Sequence, residues 1–259
     1  MASMARLIEA GGRRLPFLRW SVLRLLLARN LTKEWQVGDG REQALAEYVA
    51  ANARQGDIDD VIRVIDQFCY QRSFMINVGD EKGELLDAAV RKAAPHRALE
   101  LGTYCGYSAL RIARAMPDDG RLVSVEFSRA NADIARTIWN RAGVGDHVTV
   151  LVGTLGDGGA TIERLESEHG FTGGSLDFVF IDHAKDAYLS DLELITSRRW
   201  LHDGSIVVAD NIKFPGAPEY RARMRAQEGK AWRSIEHNTH AEYQTFFKDI
   251  VLESEYLGG

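Results

Sequence analysis

The sequence predicts an α/β protein built on a doubly wound, mostly parallel sheet. Short apolar segments alternate with segments in which apolar residues recur at helical spacing. Such alternation is typical of parallel sheets covered by helices. Two further strand-like segments at the end of the chain bring the expected sheet to seven strands and predict an antiparallel edge strand. A chain of 259 residues is long enough for one such domain and a short appendage.

The expected elements can be placed along the chain from apolar periodicity. Helices are expected over residues 41–54, 58–72, 82–94, 109–116, 129–142 and 158–169. Strands are expected over residues 98–101, 121–126, 147–153, 176–182, 204–210, 231–238 and 249–256. We therefore predict a Rossmann-like domain that spans residues 41–259.

The first 40 residues form a basic extension that differs from the rest of the chain. Residues 1–34 carry seven Arg or Lys and two Glu, a net charge of +5, whereas the whole chain has a net charge of −5. Residues 15–30 interrupt an apolar run with Arg19 and Arg24, which excludes a signal peptide or a membrane span and predicts an amphipathic helix. Such a helix could dock on an anionic membrane surface, or pack on the body of the protein or on a second copy. We prefer packing.

Composition also limits the partners and the compartment. The negative net charge argues against nucleic acid as a partner. Cys69 and Cys105 are the only cysteines, too few for a disulfide framework, so a reducing compartment is expected. We therefore expect a cytoplasmic protein that contacts a membrane, if at all, only peripherally.

A glycine-containing loop follows the first strand of the expected sheet. Gly102 and Gly106 permit a tight turn and close approach of a ligand to the backbone. Tyr104 occupies the second glycine position of the dinucleotide motif G-x-G-x-x-G, so that motif is not met. Glu100 would repel a pyrophosphate but attract the cationic groups of S-adenosylmethionine. Glu126, at the end of the second strand, can accept both ribose hydroxyls, so we expect S-adenosylmethionine as the cofactor.

Oxygen donors lie at the ends of two neighbouring strands. Asp182 ends the fourth strand, and Asp210 ends the fifth and is followed by Asn211. Because adjacent strands lie about 4.8 Å apart, these donors can converge on one cation. Such donors suit Mg²⁺. Capping of the following helices is the alternative for a single strand-end Asp, but three donors together favour a metal.

Two residues after Asp182 are candidates for direct contact with the reactants. A lysine beside a divalent cation loses its proton more readily than an isolated one, so Lys185 could act as general base near neutral pH. His183 could contact adenine, although a plain loop histidine is nearly as good an interpretation. Asp186 is interpreted as structural.

Five motifs resemble those of the catechol O-methyltransferases, and they occur in the family order. They are MINVGDEKGELLDAAV (75–90), LELGTYCGYSALRIAR (99–114), FIDHAKDAYLSDL (180–192), VVADNIKFPGAP (207–218) and HAEYQTF (240–246). The resemblance covers residues 41–259 and implies a class I methyltransferase fold. It also implies transfer of a methyl group from S-adenosylmethionine to one hydroxyl of a catechol, a small-molecule substrate, bound to Mg²⁺.

The resemblance implies a role for each matching residue. Asp182, Asp210 and Asn211 would bind the metal, Lys185 would be the base, and Glu242 would hold the hydroxyl that is not methylated. The cofactor would contact Val78, Glu100, Gly102, Tyr104, Ser108, Glu126, Asp182 and His183. The substrate pocket would be lined by Phe74, Ile76 and Pro215.

The chain departs from the family's best-known members around the adenine and the pocket. Ala184 and Phe74 stand where those members have Trp, Ile76 stands where they have Met, and Leu155 and Gly156 replace Ser-Gln. Two alternatives stay open: a caffeoyl-coenzyme-A-type enzyme that acts on a larger phenolic ester, and a non-catalytic scaffold with the same fold. The helices over 41–94 and the Glu242 region favour the catechol branch, and the retained Lys185 disfavours a scaffold.

Overall fold

The structure, a computed structural model, describes residues 21–22 and 36–258. Most of the predicted extension over residues 1–40, and all but residues 21–22 of the amphipathic helix expected over residues 15–30, thus lie outside the described residues. Within the part that is described, no helix is long and apolar enough to cross a membrane.

The described chain alternates helices and strands as expected. The helices are α1 (Arg41–Asn52), α2 (Ile58–Gln71), α3 (Gly79–Ala93), α4 (Tyr107–Ala115), α5 (Arg129–Ala142), α6 (Ala160–Ser167), α7 (Tyr188–Ser197) and α8 (Pro218–Ala226). The strands are β1 (Arg97–Leu101), β2 (Arg121–Glu126), β3 (Val148–Val152), β4 (Leu176–Ile181), β5 (Leu201–Ala209), β6 (Trp232–His240) and β7 (Lys248–Tyr256). Each predicted helix and strand is present, with shifts at the ends.

The strands form one seven-stranded sheet in the order β3-β2-β1-β4-β5-β7-β6. Strands β1 to β5 pair in parallel, and β7 pairs antiparallel with both β5 and β6. The predicted mostly parallel sheet with antiparallel pairing at one edge is confirmed. The outermost position falls to β6, which is rich in polar residues, whereas the apolar run Ile250–Leu252 suits β7 to the interior of the sheet.

Alternate residues of each strand contribute to two apolar cores, one on either face of the sheet. In β4, Phe178 and Phe180 pack with the helices from α1 to α5, whereas Val179 and Ile181 pack with α6, α7 and α8. A sheet buried on both faces explains why its strands are near-continuous apolar runs in the sequence. Polar residues are therefore expected at strand ends, which is where the site residues lie.

Most of the differences from the predicted elements lie close to the carboxyl ends of the strands, whereas the earlier start of β5 lies at its amino end. Helix α3 begins at Gly79 rather than at residue 82, and β5 begins at Leu201 rather than at residue 204. Helices α7 and α8 were not predicted, and a π-helical turn (Ile212–Gly216) follows β5 directly. Apart from the start of β5, these segments lie around the carboxyl ends of the strands and shape the site.

Candidate active site

The loop between β1 and α4 passes very close to the end of β4. Gly102 has φ +99°, and a Cβ built on it would lie 2.3 Å from the carbonyl oxygen of Asp182. Gly106 has φ +82°, and a Cβ there would lie 2.4 Å from Nε1 of Trp139. Only glycine fits both positions, as the sequence predicted for a tight turn.

Glu126 holds this loop in place. Its Oε2 accepts hydrogen bonds from the backbone N–H of Thr103 at 3.2 Å and of Tyr104 at 2.8 Å, while Oε1 accepts from Ser128 N at 2.9 Å. The carboxylate is buried, and burial raises its pKa. Glu126 therefore connects the end of β2 to the glycine loop, beside the position expected for the ribose.

Glu100 is a buried acid with one oxygen that has no partner. Oε2 accepts from the hydroxyl of Ser124, while Oε1 has no hydrogen bond and is sealed from solvent. Burial raises the pKa of Glu100 to about 8, although the nearby hydroxyls of Ser108 and Ser124 oppose that shift. An unpaired buried oxygen is costly unless a ligand completes its hydrogen bonding, and a cationic amine would do so.

Tyr104 and Val78, both predicted cofactor contacts, are buried. Tyr104 is buried, has φ +47°, and its hydroxyl donates to Oε1 of Glu42 at 2.9 Å. A contact of Tyr104 with a ligand would therefore use its ring or backbone. Val78 is buried directly before α3 and lines a cavity of about 280 Å³ together with Lys82 and Glu242. The cavity joins a predicted cofactor contact to a predicted substrate contact.

The three predicted metal ligands lie at adjacent strand ends. Ile181 of β4 is opposite Ala209 of β5, which makes Asp182 and Asp210 neighbours at the carboxyl edge of the sheet. Asp210 is completely buried, and the only partner of its Oδ2 among the described residues is the Nζ of Lys82 at 2.8 Å. Burial raises the pKa of Asp210, and Lys82 opposes that shift. The juxtaposition predicted from the strand ends is thus present.

A buried lysine lies against these acids. Nζ of Lys82 is 2.8 Å from Asp210, 2.6 Å from Oε1 of Glu242 and 3.2 Å from Oδ2 of Asp249. Its side chain is 1% exposed. Burial lowers the pKa of Lys82, but the three carboxylates raise it well above its ordinary value. Lys82 is therefore a fixed positive charge in the site.

Asn211 contacts two of the three acids that Lys82 contacts. Its Nδ2 donates to Oε1 of Glu242 at 3.1 Å and to Oδ2 of Asp249 at 3.0 Å. Two acceptors on one side of the amide fix which way it faces, and the amide oxygen is directed away from them. The oxygen is thus left as a donor atom for a cation.

Lys185, the predicted base, is held by two partners. Nζ donates to Oδ1 of Asp182 at 2.8 Å and to the hydroxyl of Tyr188 at 2.6 Å. The Tyr188 hydroxyl in turn donates to the backbone carbonyl of Asp210 at 3.2 Å. Lys185 is partly exposed, at 16% of its side chain, so one side of the nitrogen can face a substrate.

His183 and Ala184 form the segment expected near the adenine. Nε2 of His183 lies 2.9 Å from Oδ2 of Asp191, and the ring stacks on Tyr188 with centroids 5.1 Å apart. Nδ1 of His183 is buried and has no hydrogen-bond partner. An adenine contact by His183 stays a prediction, as does the effect of Ala184, while Asp186 is exposed, as a structural loop residue can be.

The predicted pocket residues lie in three different segments. Phe74 is buried, its carbonyl accepts from Arg41 at 2.5 Å, and its N–H donates to Oγ of Ser21 at 3.2 Å. Ile76 packs against the core formed by the helices from α1 to α5. Pro215 is exposed, and the peptide bond before it is cis. Their role as pocket walls stays a prediction.

Beside Pro215 lies an exposed aromatic set that consists of Phe214, Phe246 and Phe247. The rings of Phe214 and Phe247 stack with centroids 5.2 Å apart, and Phe246 meets Phe247 edge to face at 5.1 Å. The set is attached to the site, because Phe214 N donates to Oδ1 of Asp249 at 2.9 Å. It presents an apolar surface at the rim of the cluster around Glu242.

Comparison with known proteins identifies the family. A family model described as O-methyltransferase matches residues 57–242. The chain belongs to the O-methyltransferase family. A probable O-methyltransferase of Mycobacterium tuberculosis is 63% identical to it over 230 residues, which cover 89% of this chain and 98% of that protein. Catechol O-methyltransferase B of Danio rerio is 40% identical over 218 residues, which cover 84% of this chain and 80% of the relative.

Solved structures support the fold of this methyltransferase. The O-methyltransferase TomG from Streptomyces achromogenes aligns with a TM-score of 0.61 and 22% identity, over 85% of this chain and 99% of that one. Family membership makes the chain an S-adenosylmethionine-dependent O-methyltransferase. The unpaired oxygen of Glu100, which suits a cationic ligand, agrees with that cofactor.

The donor set of the methyltransferase can be tested for its fit to a metal. In the described residues, no group of three or more His, Cys, Asp or Glu side chains is arranged to hold a metal ion. The predicted set instead combines two aspartates with an asparagine, and Oδ2 of Asp210, 2.8 Å from Nζ of Lys82, makes no other polar contact. Carboxylate and amide oxygens are ligands for Mg²⁺ rather than for zinc. These residues therefore fit Mg²⁺.

Three site residues were missed by sequence reasoning: Lys82, Asp249 and Tyr188. A sequence signal existed for Lys82, because it shares a face of α3 with the buried Leu86. A lysine on an apolar helix face is almost never fully buried unless an acid pairs with it. No comparable signal marked Asp249, which lies on a strand 167 residues from Lys82.

Proposed function

We propose that this methyltransferase transfers a methyl group from S-adenosylmethionine to one hydroxyl of a catechol held by Mg²⁺. The observation that carries the proposal is the cluster at the ends of β4 and β5. There the oxygen donors Asp210 and Asn211 lie beside Glu242, and Lys185 contacts Asp182. The relatives named catechol O-methyltransferase support the same substrate class.

The residues would divide the chemistry among them. Asp182, Asp210 and Asn211 would hold Mg²⁺, which when bound would act as a Lewis acid and make the attacking hydroxyl more acidic. Lys185 in its amine form has two N–H groups, and it has two acceptors, Asp182 and the Tyr188 hydroxyl. The lone pair is then left to accept the proton of the attacking hydroxyl at Nζ.

Glu242 supports a catechol over a monophenol. Its side chain is 15% exposed, and its Oε1 is held by Lys82 and Asn211. The other oxygen, Oε2, can accept a hydrogen bond from the hydroxyl that is not methylated. A substrate with a single hydroxyl would leave that oxygen unpaired, which is costly at a site that is largely closed to water.

Turnover assays test this proposal. Purified protein, S-adenosylmethionine with a labelled methyl group, and either catechol or phenol should be assayed with Mg²⁺ and with excess chelator. We expect label in catechol, none in phenol, and loss of turnover with chelator. Equal turnover in chelator would contradict the metal assignment, and labelled phenol would contradict the role of Glu242.

Variants of neighbouring acids supply the matched control. Asp182→Asn should remove Mg²⁺-dependent turnover, because an amide is a weaker ligand than a carboxylate. Asp186→Asn, four residues later in the same loop and exposed, should leave turnover unchanged. Similar losses in both variants would point to disturbance of the loop rather than loss of a ligand.

We also propose that the basic extension, residues 1–40, is separate from the chemistry and packs on the domain. Ser21 supports packing, because its carbonyl accepts from Arg41 at 2.7 Å and its Oγ accepts from Phe74 N. The test is sedimentation with anionic vesicles at low and high salt. Salt-sensitive co-sedimentation, lost when residues 1–20 are removed, would favour the membrane-surface interpretation instead.

A further inference from the structure

We propose that Lys82 is a positioning residue for the methyl transfer: its ammonium fixes Glu242 relative to the Asp210–Asn211 pair. The inference rests on the proposed function of that cluster. It concerns how the substrate is oriented rather than how the reaction proceeds. Neither the sequence motifs nor the comparisons assign this lysine a role.

The first observation is the number of elements that meet at one nitrogen. Nζ of Lys82, in the first turn of α3, is within 3.2 Å of carboxylates from three places. Asp210 follows β5, Glu242 lies in the loop between β6 and β7, and Asp249 belongs to β7. No other contact among the described residues joins these three carboxylates to a single cation.

The second observation is that Asn211 depends on the same arrangement. Its amide nitrogen donates to Glu242 and Asp249, the same carboxylates that Lys82 contacts. Without the ammonium, three carboxylates would face one another with only neutral donors between them. Like charges at this distance repel strongly in a buried site, and Glu242, in a loop, is the one that can move away.

The loop that carries Glu242 has little else to fix that side chain. Residues 241–247 are ordered by the hydrogen bond from Ala241 N to the Phe247 carbonyl at 2.9 Å and by Gln244, whose side chain accepts from Phe246 N and Phe247 N. These bonds hold the backbone of the loop. Among the described residues, only Lys82 and Asn211 contact the carboxylate of Glu242.

Stability alone does not account for a charge buried in this way. Replacing buried ion clusters by apolar residues is often neutral or stabilising, because removing charges from water is costly. In some proteins buried charges are kept because they fix one geometry, and we infer the same here. Here that geometry sets the distance between the acid that holds one substrate hydroxyl and the donors that hold the metal.

The test compares Lys82→Met with the wild type by two measurements. The first is the ratio of the two monomethyl products of an unsymmetrical catechol, which reports how the ring is held. The second is hydrogen–deuterium exchange in residues 241–247, which needs neither catalysis nor metal. We expect the product ratio to move toward one, kcat to fall on the order of 10²-fold, and exchange in the loop to become roughly tenfold faster.

Arg111→Met is the matched control. Arg111 is a buried cation on α4 that pairs with Asp87 of α3 at 2.9 Å. Its loss should lower the melting temperature while leaving the product ratio and exchange in residues 241–247 unchanged. A merely structural role for Lys82 would make the two variants alike.

A double variant tests the coupling directly. Adding Lys82→Met to Glu242→Gln should change the product ratio no further than Glu242→Gln alone, because the group that Lys82 positions is already altered. If Lys82→Met does not fold, Lys82→Arg replaces it: the guanidinium keeps the charge but reaches further, so it should displace Glu242 and change both measurements.

The outcomes separate the two proposals. A folded Lys82 variant, Met or Arg, with the wild-type product ratio and wild-type exchange would overturn the positioning role. If the wild type methylates no catechol, the proposed function fails, while the exchange measurement still decides whether Lys82 orders the Glu242 loop.

Discussion

Glu100→Gln should stabilise the cofactor-free protein relative to the wild type by an amount that grows as the pH rises, and it should weaken the binding of S-adenosylmethionine. Burial raises the pKa of Glu100 from 4.5 to about 8. A folded pKa above the unfolded one gives stability that is complete below pH 4.5 and is lost as the pH rises toward 8. Each pH unit in this window lowers the free energy of unfolding by about 1.4 kcal/mol, so the wild type loses about 3 kcal/mol of stability between pH 5 and 7. The neutral Gln variant avoids that loss.

Although Glu100→Gln should stabilise the cofactor-free protein, it should weaken cofactor binding. The ionised Glu100 offers Oε1, an oxygen without a partner, to a cationic amine. A hydrogen bond to a charged group contributes about 1.5–3 kcal/mol, so the Gln variant should bind S-adenosylmethionine about 10- to 100-fold more weakly. Binding by the wild type should strengthen as the pH rises to 8, because ionising Glu100 then costs less.

Chemical unfolding at several pH values measures the first effect, and calorimetry of cofactor binding measures the second. Glu47→Gln, which changes an exposed acid on α1, is the control and should show neither. A stability difference between wild type and Glu100→Gln that stays constant from pH 5 to 8 would refute the reasoning.

Three further predictions address Lys185, the glycine loop after β1 and the exposed aromatic set. Lys185→Ala should lose about 10²–10⁴-fold in turnover with cofactor affinity unchanged, and a Lys185→Arg enzyme with normal turnover would exclude proton acceptance by Lys185. Gly102→Ala should lower the melting temperature and abolish cofactor binding, because its Cβ would clash with Asp182. Gly158→Ala is the control: Gly158 has φ +83° and nothing within 4 Å of an added Cβ, so this change should only strain the backbone. Equal effects of the two variants would rule out the clash with Asp182. Phe247→Ala should raise KM about 2- to 10-fold for catechols with apolar substituents and leave it unchanged for catechol itself; equal KM changes would place the aromatic set outside the substrate path.

The sequence predicted the sheet and the strand-end residues because both depend on local patterns. Apolar runs marked the buried strands, and the acids that follow them had to meet at one edge. Helix α8 escaped prediction because only Tyr220 and Met224 of its residues are buried, too few for a recognisable period.

What the sequence could not supply is pairing over long separations. Lys82 contacts Asp210 and Asp249, which are 128 and 167 residues away, and nothing local to either partner specifies the other. The aromatic set shows the same limit, since Phe214 and Phe247 stack across two loops whose approach depends on β7 lying next to β5.

The aromatic set has a practical consequence for altering the enzyme. Phe214, Phe246 and Phe247 lie outside the strands, whereas Asp182 and Asp210 directly follow β4 and β5, whose paired backbones fix them. The three rings are exposed and contribute nothing to either apolar core. They can therefore be randomised together at little cost in folding free energy. A library at these three positions is a direct route to methyltransferases that accept differently substituted phenols while Lys185 and the oxygen donors stay as they are.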